Sequence, residues 1–257
     1  MTSINDLKDF AEKQGIKLLD QADIIRKAQK ALADKYHFSP TQIKEHFDQL
    51  IEESEKVAYE IYKQYEKTYG EDVIIAMTQH LIDTKEISRL EDLPTVMKKY
   101  YKVLDDFYLS LANSRKSRAG KTFEKIHNGL FKILKYPFEE QVKIDGKPDF
   151  LMPSAEHYKK DAPDCIIFTA KRTLRERWRQ IVTEGTRGNR FFLATIDEDL
   201  SEAQLKEMHD HRISIVCPES IKNSKYPDAV NVLSFKQFFN DHLDPAMERW
   251  ERNHVIK

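Results

Sequence analysis

An aspartate one residue ahead of an apolar run and a lysine one residue behind another form a pair that can work on a phosphate. Asp149 sits in Lys147-Pro148-Asp149-Phe150-Leu151, and Lys171 terminates the run Cys165-Ile166-Ile167-Phe168-Thr169-Ala170. If these runs are neighbouring strands, the carboxylate and the ammonium meet. Phosphodiester hydrolysis needs an acidic pocket to hold a divalent cation between the phosphate and a water. It also needs a cation that stabilises developing charge or orients the nucleophile. Alone, the pair proves little, because Pro-Asp is common in turns and a lysine at a strand end is ordinary.

The next residues add weight. Arg172 to Val182 places Arg175, Glu176, Arg177 and Arg179 around the first turns of a helix directly after Lys171. Helix N-termini favour acids, so arginines there oppose the helix dipole and are better explained by an anionic partner. Arginine bonds guanine O6 and N7 bidentately and glutamate accepts from cytosine N4, so Arg-Glu-Arg suits consecutive G·C pairs in a major groove. The plainer alternative is a salt-bridged surface helix with Trp178 packed inward. The charge distribution points the same way as the motif. The net charge is −1, yet residues 115–135 hold seven Lys/Arg against one Glu and residues 171–190 hold seven against two. The first island begins with Arg115, Lys116 and Arg118, which could meet phosphates or be solvated helix faces.

Two kinds of sequence must position these residues. Up to about residue 113 the apolar residues recur at helical spacing, as in Ile43, Phe47, Leu50 and Ile51, and Ser39-Pro40 and Leu93-Pro94 open helices. This helical part, 1–113, is expected to support, dimerise or clamp. After a basic hinge, NSRKSRAGK, a helix is expected over 122–134 and strand-like alternation over Phe138, Gln141, Val142 and Ile144. A turn at Asp145-Gly146 precedes Asp149, a helix runs from Thr173 to about Gly185, and strands fall at 191–195 and 213–216 with a helix between. A last helix is expected over 235–243. The part 114–257 is therefore α/β, a mixed sheet covered by helices.

Composition narrows the rest. No apolar stretch is long enough to span a membrane and the amino terminus lacks a secretory pattern, so a soluble cytoplasmic protein is expected. Cys165 and Cys217 lie in apolar runs and read as buried packing residues. Ala119-Gly120-Lys121-Thr122 lacks the first glycine of a phosphate-binding loop, and His209-Asp210-His211 lacks a further ligand at metal spacing.

The segments RAGKTFEKI, DGKPDFLMP, IIFTAKRTLRERWRQIVTEG and ISIVCPESI resemble, in order, the catalytic region of EcoRII-type and SsoII-type type II restriction endonucleases, across roughly residues 115–240. The resemblance implies a restriction-endonuclease-like fold and Mg²⁺-dependent cleavage of double-stranded DNA. It further implies a homodimer acting on a short site with CC and GG ends, CCNGG or CCWGG, and a companion methyltransferase protecting the same site. Asp149 matches the family's metal-binding aspartate and Lys171 its catalytic lysine. The acid usual two residues before the lysine is here Thr169, which cannot replace it, and Glu184 matches the glutamate this branch supplies from the following helix. Glu124 matches an upstream acid that holds the metal or a metal ligand; read alone, it is a plain helix carboxylate. Arg175, Glu176 and Arg177 match the residues that read CC/GG steps. The rival expectation is a catalytically silent or non-specific DNA-binding or repair protein with the same fold.

Overall fold

A computed structural model describes residues 3–144, 147–174 and 191–256, the side chains of 116, 117 and 119 excepted. Five helices come first: α1 (Ile4–Lys13), α2 (Gln21–Tyr36), α3 (Pro40–Glu45), α4 (Phe47–Asp83) and α5 (Leu93–Ile133). Then follow β1 (Glu139–Glu140), β2 (Phe150–Met152), α6 (Ala155–Lys160), β3 (Ile166–Ala170), β4 (Phe191–Ala194), α7 (Glu202–Asp210), β5 (Ile213–Cys217), α8 (Glu219–Lys225) and β6 (Val232–Ser234). The chain closes with α9 (Phe235–Phe238), a π turn (Phe239–Leu243) and α10 (Asp244–Arg252). Serine caps start several helices: Ser39 accepts from the Gln42 amide with Pro40 in the first turn, and Ser201 accepts from Gln204. Each such cap contributes about 1 kcal/mol.

Packing divides the chain into two compact units that interleave in sequence, whereas the change of composition suggested one cut at 113/114. The first comprises Met1–Ala31 and Lys56–Ala119, the second Leu32–Glu55 and Gly120–Lys257. The first unit is helical. Leu7, Ala11, Val73, Met77, Leu81, Tyr100 and Phe107 form its main core.

The second unit holds a six-stranded sheet in the order β1-β2-β3-β4-β5-β6. β1, β2 and β3 pair antiparallel and β3 to β6 run parallel, so the sheet is mixed, as expected. Alternate residues of a strand face opposite sides, and the two sides are sharply separated here. Phe150, Ile166, Phe168, Phe192 and Val216 pack against Phe47, Phe123, Phe131, Phe235, Phe238 and Trp250 from helices on one face. Leu151, Ile167, Phe191, Leu193 and Ile215 pack against Leu205, Met208 and Ile221 from α7 and α8 on the other. With both faces covered, β3 and β4 are buried along their whole length, which is why they read as unbroken apolar runs.

Three expectations change. The basic stretch 113–121 is helical, part of α5, which runs from Leu93 to Ile133. One glycine, Gly120, costs a helix only about 1 kcal/mol, and buried Leu111, Phe123 and Ile126 keep the apolar stripe going on either side. The strand expected over 138–144 shrinks to Glu139–Glu140: Gln141 still donates its amide to Asp149 O, but its left-handed backbone (φ 55°) ends the strand there. The carboxy-terminal helix does not end at Leu243: after the π turn, α10 continues from Asp244 with proline in its first turn and Trp250 buried. Of the helix expected over 173–185, Thr173 and Leu174 are described and not helical, and the rest lies outside the described residues, as does the turn at 145–146. No described helix is long and apolar enough to cross a membrane.

Candidate active site

β2 and β3 meet with Phe150 opposite Phe168 and Leu151 opposite Ile167. Continued by one residue, that register sets Asp149 against Thr169, and the Asp149 amide donates to Thr169 Oγ1 at 3.4 Å. Lys171 leaves the end of β3 with its amide donating to Ala194 O of β4 at 2.9 Å, so its position is fixed by the parallel ladder. The acid before one strand and the lysine after its antiparallel neighbour therefore share one sheet end.

The contact is direct. Lys171 Nζ donates to both carboxylate oxygens of Asp149, at 2.9 Å to Oδ2 and 3.2 Å to Oδ1. The Ala170 amide donates to Oδ2 at 2.9 Å and Gln141 Nε2 to Oδ1 at 3.0 Å. The Asp149 side chain is 4% exposed, and a carboxylate this buried is tolerable only when paired and hydrogen-bonded. The Lys171 side chain is 36% exposed, so the pair lies at the edge of the buried sheet end and is open to solvent on the lysine side.

Glu124 arrives from α5. Its Oε1 accepts from Gln141 Nε2 at 3.3 Å, the same nitrogen that serves Asp149. Burial, then the negative charge of Asp149, raise the Glu124 carboxyl above its ordinary range, while Lys171 pulls it back. The second unit thus brings Asp149, Lys171 and Glu124 together. Two carboxylates are the hard oxygen donors that Mg²⁺ takes, and Mg²⁺ is commonly held by one or two carboxylates with water and phosphate completing the shell. The donor set fits such an ion. Among the described residues no cluster of three His, Cys, Asp or Glu side chains could hold a metal. Glu184, the expected further carboxylate, lies outside the described residues, as do Arg175, Glu176, Arg177 and Arg179. Thr169 is 1% exposed and its hydroxyl is used on the Asp149 backbone, in keeping with a position that no longer supplies a metal ligand.

Residues that sequence reasoning passed over hold the segment after Lys171. Arg172 Nε donates to Glu55 Oε2 at 3.0 Å, and burial raises the Glu55 carboxyl although Arg172 opposes it. Asp197 Oδ2 accepts from the Leu174 amide at 2.7 Å, and Tyr226 Oη donates to Asp197 O at 2.8 Å. The parallel register that pairs Ala170 with Ala194 places Asp197 just beyond the end of β4, as Lys171 lies just beyond β3. An acid soon after a buried strand was the available signal. Gln141 carried none, being a neutral residue within what reads as an alternating strand.

The two described arginines at the start of the first basic island are committed inside the helical unit. Arg115 makes a two-pronged ion pair with Glu66, its Nε donating to Oε2 at 3.2 Å. Arg118 Nη1 donates to Leu19 O at 2.9 Å and its guanidinium lies over the Tyr62 ring. The Lys116 side chain lies outside the described residues.

Comparison with known proteins follows the same lines. The type II restriction enzyme SsoII of Shigella sonnei is 30% identical over 203 residues, 73% of this chain and 65% of that enzyme. The type II restriction enzyme EcoRII of Escherichia coli is 36% identical over 145 residues, 52% of this chain and 35% of that enzyme. The chain thus covers less than two thirds of either relative. Among solved structures, metal-depleted Ecl18kI in complex with uncleaved DNA superposes with a TM-score of 0.80 at 24% identity, over 99% of this chain and 87% of that one. A PspGI–substrate DNA complex, also a restriction endonuclease, gives 0.66 at 21% identity, over 90% and 94%. The fold is therefore that of restriction endonucleases. The family model described as EcoRII C terminal matches residues 86–239, a span that contains Glu124, Asp149 and Lys171, and the chain belongs to that family.

Proposed function

We propose that the chain is a type II restriction endonuclease that hydrolyses both strands of DNA with Mg²⁺ at a short site bearing CC and GG ends, CCNGG or CCWGG. The reading rests on the buried Asp149 carboxylate and the Lys171 amine that share one sheet end, in a chain of the EcoRII C-terminal family. Asp149 and Glu184 would hold the cation, with Glu124 beside them. When bound, the ion supplies charge neutralisation at the phosphate and a water of lowered pKa. The chain's own groups do the rest. The Ala170 amide and the strand register fix the Asp149 carboxylate at the sheet end, where it would offer an oxygen to the ion as Lys171 gives up one of its bonds. The Lys171 amine can exchange one of its two Asp149 bonds for a non-bridging phosphate oxygen, placing positive charge where negative charge develops.

Arg175, Glu176 and Arg177 are proposed as the base-reading group, with Arg179 as a phosphate contact. Arg115, Lys116 and Arg118 are proposed as backbone contacts on charge alone; Arg115 would exchange Glu66 for phosphate. The proposal includes a homodimer, because one protomer brings one site and a two-fold target has two strands to cut. It also includes a methyltransferase that modifies the same site. Plasmid digestion with Mg²⁺ and run-off sequencing of the ends tests the reading. Discrete fragments with CC/GG sequence at every end support it; intact plasmid over a range of Mg²⁺ and salt refutes it.

A further inference from the structure

We infer that Gln141 is a positioning residue for this site: its amide nitrogen donates to Asp149 and Glu124 together and fixes the second carboxylate relative to the first. The inference rests on the active-site reading above and gives an uncharged side chain a share in metal binding.

The backbone sets the side chain in place. Glu140 pairs with Phe150 at the end of β1, so Gln141 comes opposite Asp149, and its amide donates to Asp149 O at 3.2 Å. There the chain turns left-handed, with φ 55°, a conformation unfavourable for any residue with a Cβ. That turn ends the strand and sends the side chain across the sheet end. Nε2 then lies 3.0 Å from Asp149 Oδ1 and 3.3 Å from Glu124 Oε1.

A primary amide nitrogen carries two hydrogens, so one atom can serve two acceptors. The reversed amide would set its oxygen against two carboxylates, so the partners dictate which way it points. Asp149 is also held by Ala170 and Lys171, whereas Glu124 stands on a separate helix, and Gln141 links it to the strand pair. Two unbridged carboxylates repel and turn apart, while Mg²⁺ demands oxygens in a near-octahedral shell at about 2.0–2.1 Å. A neutral donor keeps them together without cancelling the charge that attracts the ion. A lysine at 141 would compete with the ion, and a glutamate would add repulsion.

The test reads metal binding, not only cleavage. Gln141→Gly removes the amide while glycine accepts the left-handed backbone freely, so the fold is retained. Mn²⁺ binding to the free full-length protein, read from the paramagnetic resonance signal of unbound ion, should weaken roughly ten-fold or more, with no fall in thermal midpoint. Gln141→Asn, one methylene shorter, should fail in the same way. Combining Gln141→Gly with Glu124→Ala should bind no more weakly than Glu124→Ala alone, because the first acts through the second. Wild-type affinity in Gln141→Gly beside a defective Asp149→Ala overturns the inference and leaves the active-site reading standing; additive losses in the double variant also overturn it. Wild-type affinity in Asp149→Ala brings down both.

Discussion

Asp149→Asn exchanges one oxygen of a pure acceptor for an NH₂ group, at a place where every partner is a donor. Oδ1 receives Gln141 Nε2 and Lys171 Nζ, and Oδ2 receives the Ala170 amide and Lys171 Nζ. Either orientation of the new amide therefore sets hydrogens against two donors. The cheaper orientation puts nitrogen at the Oδ1 position, where the flexible Gln141 and Lys171 side chains can turn away and the Ala170 amide stays bonded. Two bonds to Oδ1 are lost, but Lys171 keeps its bond to Oδ2 and Gln141 its bond to Glu124, so the cost is about that of one hydrogen bond to a charged group, ordinarily about 1.5–3 kcal/mol. The Lys171 amine is partly solvated, so the loss should be nearer about 1–2 kcal/mol. For a chain of this size that lowers the thermal midpoint by about 2–8 °C. Against a total stability of about 5–15 kcal/mol, the variant stays folded at room temperature. Cleavage should fall far more. Loss of a ligand that orients the ion is expected to slow single-turnover cutting by at least about a thousand-fold, some 4 kcal/mol on the barrier. The assay pairs single-turnover cleavage in Mg²⁺ with thermal denaturation, and with duplex binding in Ca²⁺ to show that DNA is still bound. Cleavage within an order of magnitude of wild type, in a variant shown to be folded, would mean that Asp149 holds the sheet end and not the metal.

Three further outcomes follow from the same residues. Glu184→Ala should lose most activity, because Thr169 leaves the strand one carboxylate short; normal cutting of plasmid by the purified variant removes the relocated-glutamate assignment. Glu176→Ala should lower the ratio of specific to non-specific binding in Ca²⁺ by the worth of a base contact, about 1–3 kcal/mol, without weakening non-specific affinity. An unchanged ratio between a CCNGG duplex and one with its outer pairs replaced refutes base reading by Glu176. His127 is 0% exposed among aromatic rings, its Nδ1 donates to Phe123 O at 2.8 Å, and burial pushes its pKa down from 6.5 to about 4. As pH falls through 6.5 the unfolded chain takes a proton that the folded chain refuses. The contribution to stability is thus intact above pH 6.5 and lost on the way to about pH 4, by about 3 kcal/mol. Denaturation midpoints should drop more steeply over that window in wild type than in His127→Phe, and an equal slope in both contradicts the account.

The parts legible in the sequence were those whose pattern is local. β3 and β4 are buried on both faces, so apolar runs betrayed them, and a serine cap followed by proline marked α3. Asp149 and Lys171 were legible because each stands at the border of such a run. What stayed hidden depends on contacts across the chain. The helical course of 113–121 was hidden because charge dominates its composition, whereas Glu66 neutralises Arg115 and the apolar stripe passes through to Phe123. Gln141 sits in what reads as an alternating strand; its left-handed turn and its two carboxylate partners appear only once β1 has met β2. Asp197 and Glu55 gain their roles only when the sheet closes and α4 packs, and neither stands in a motif.

The acid and the lysine come from strands running in opposite directions, joined by the segment 153–165, which carries α6. Their separation in the chain is therefore a loop length and not a chemical requirement. Residues can be added to or removed from the exposed part of that segment and the two groups still converge, since their meeting is set by three paired residues on each strand. A single residue inserted within Phe150–Met152 or Ile166–Ala170 has the opposite effect. It turns the following side chains to the other face of the sheet and separates the carboxylate from the amine without altering either. A search for similar sites in distant sequences should accordingly hold each border rigid, aspartate before apolar run and lysine after apolar run, and leave the gap between them free.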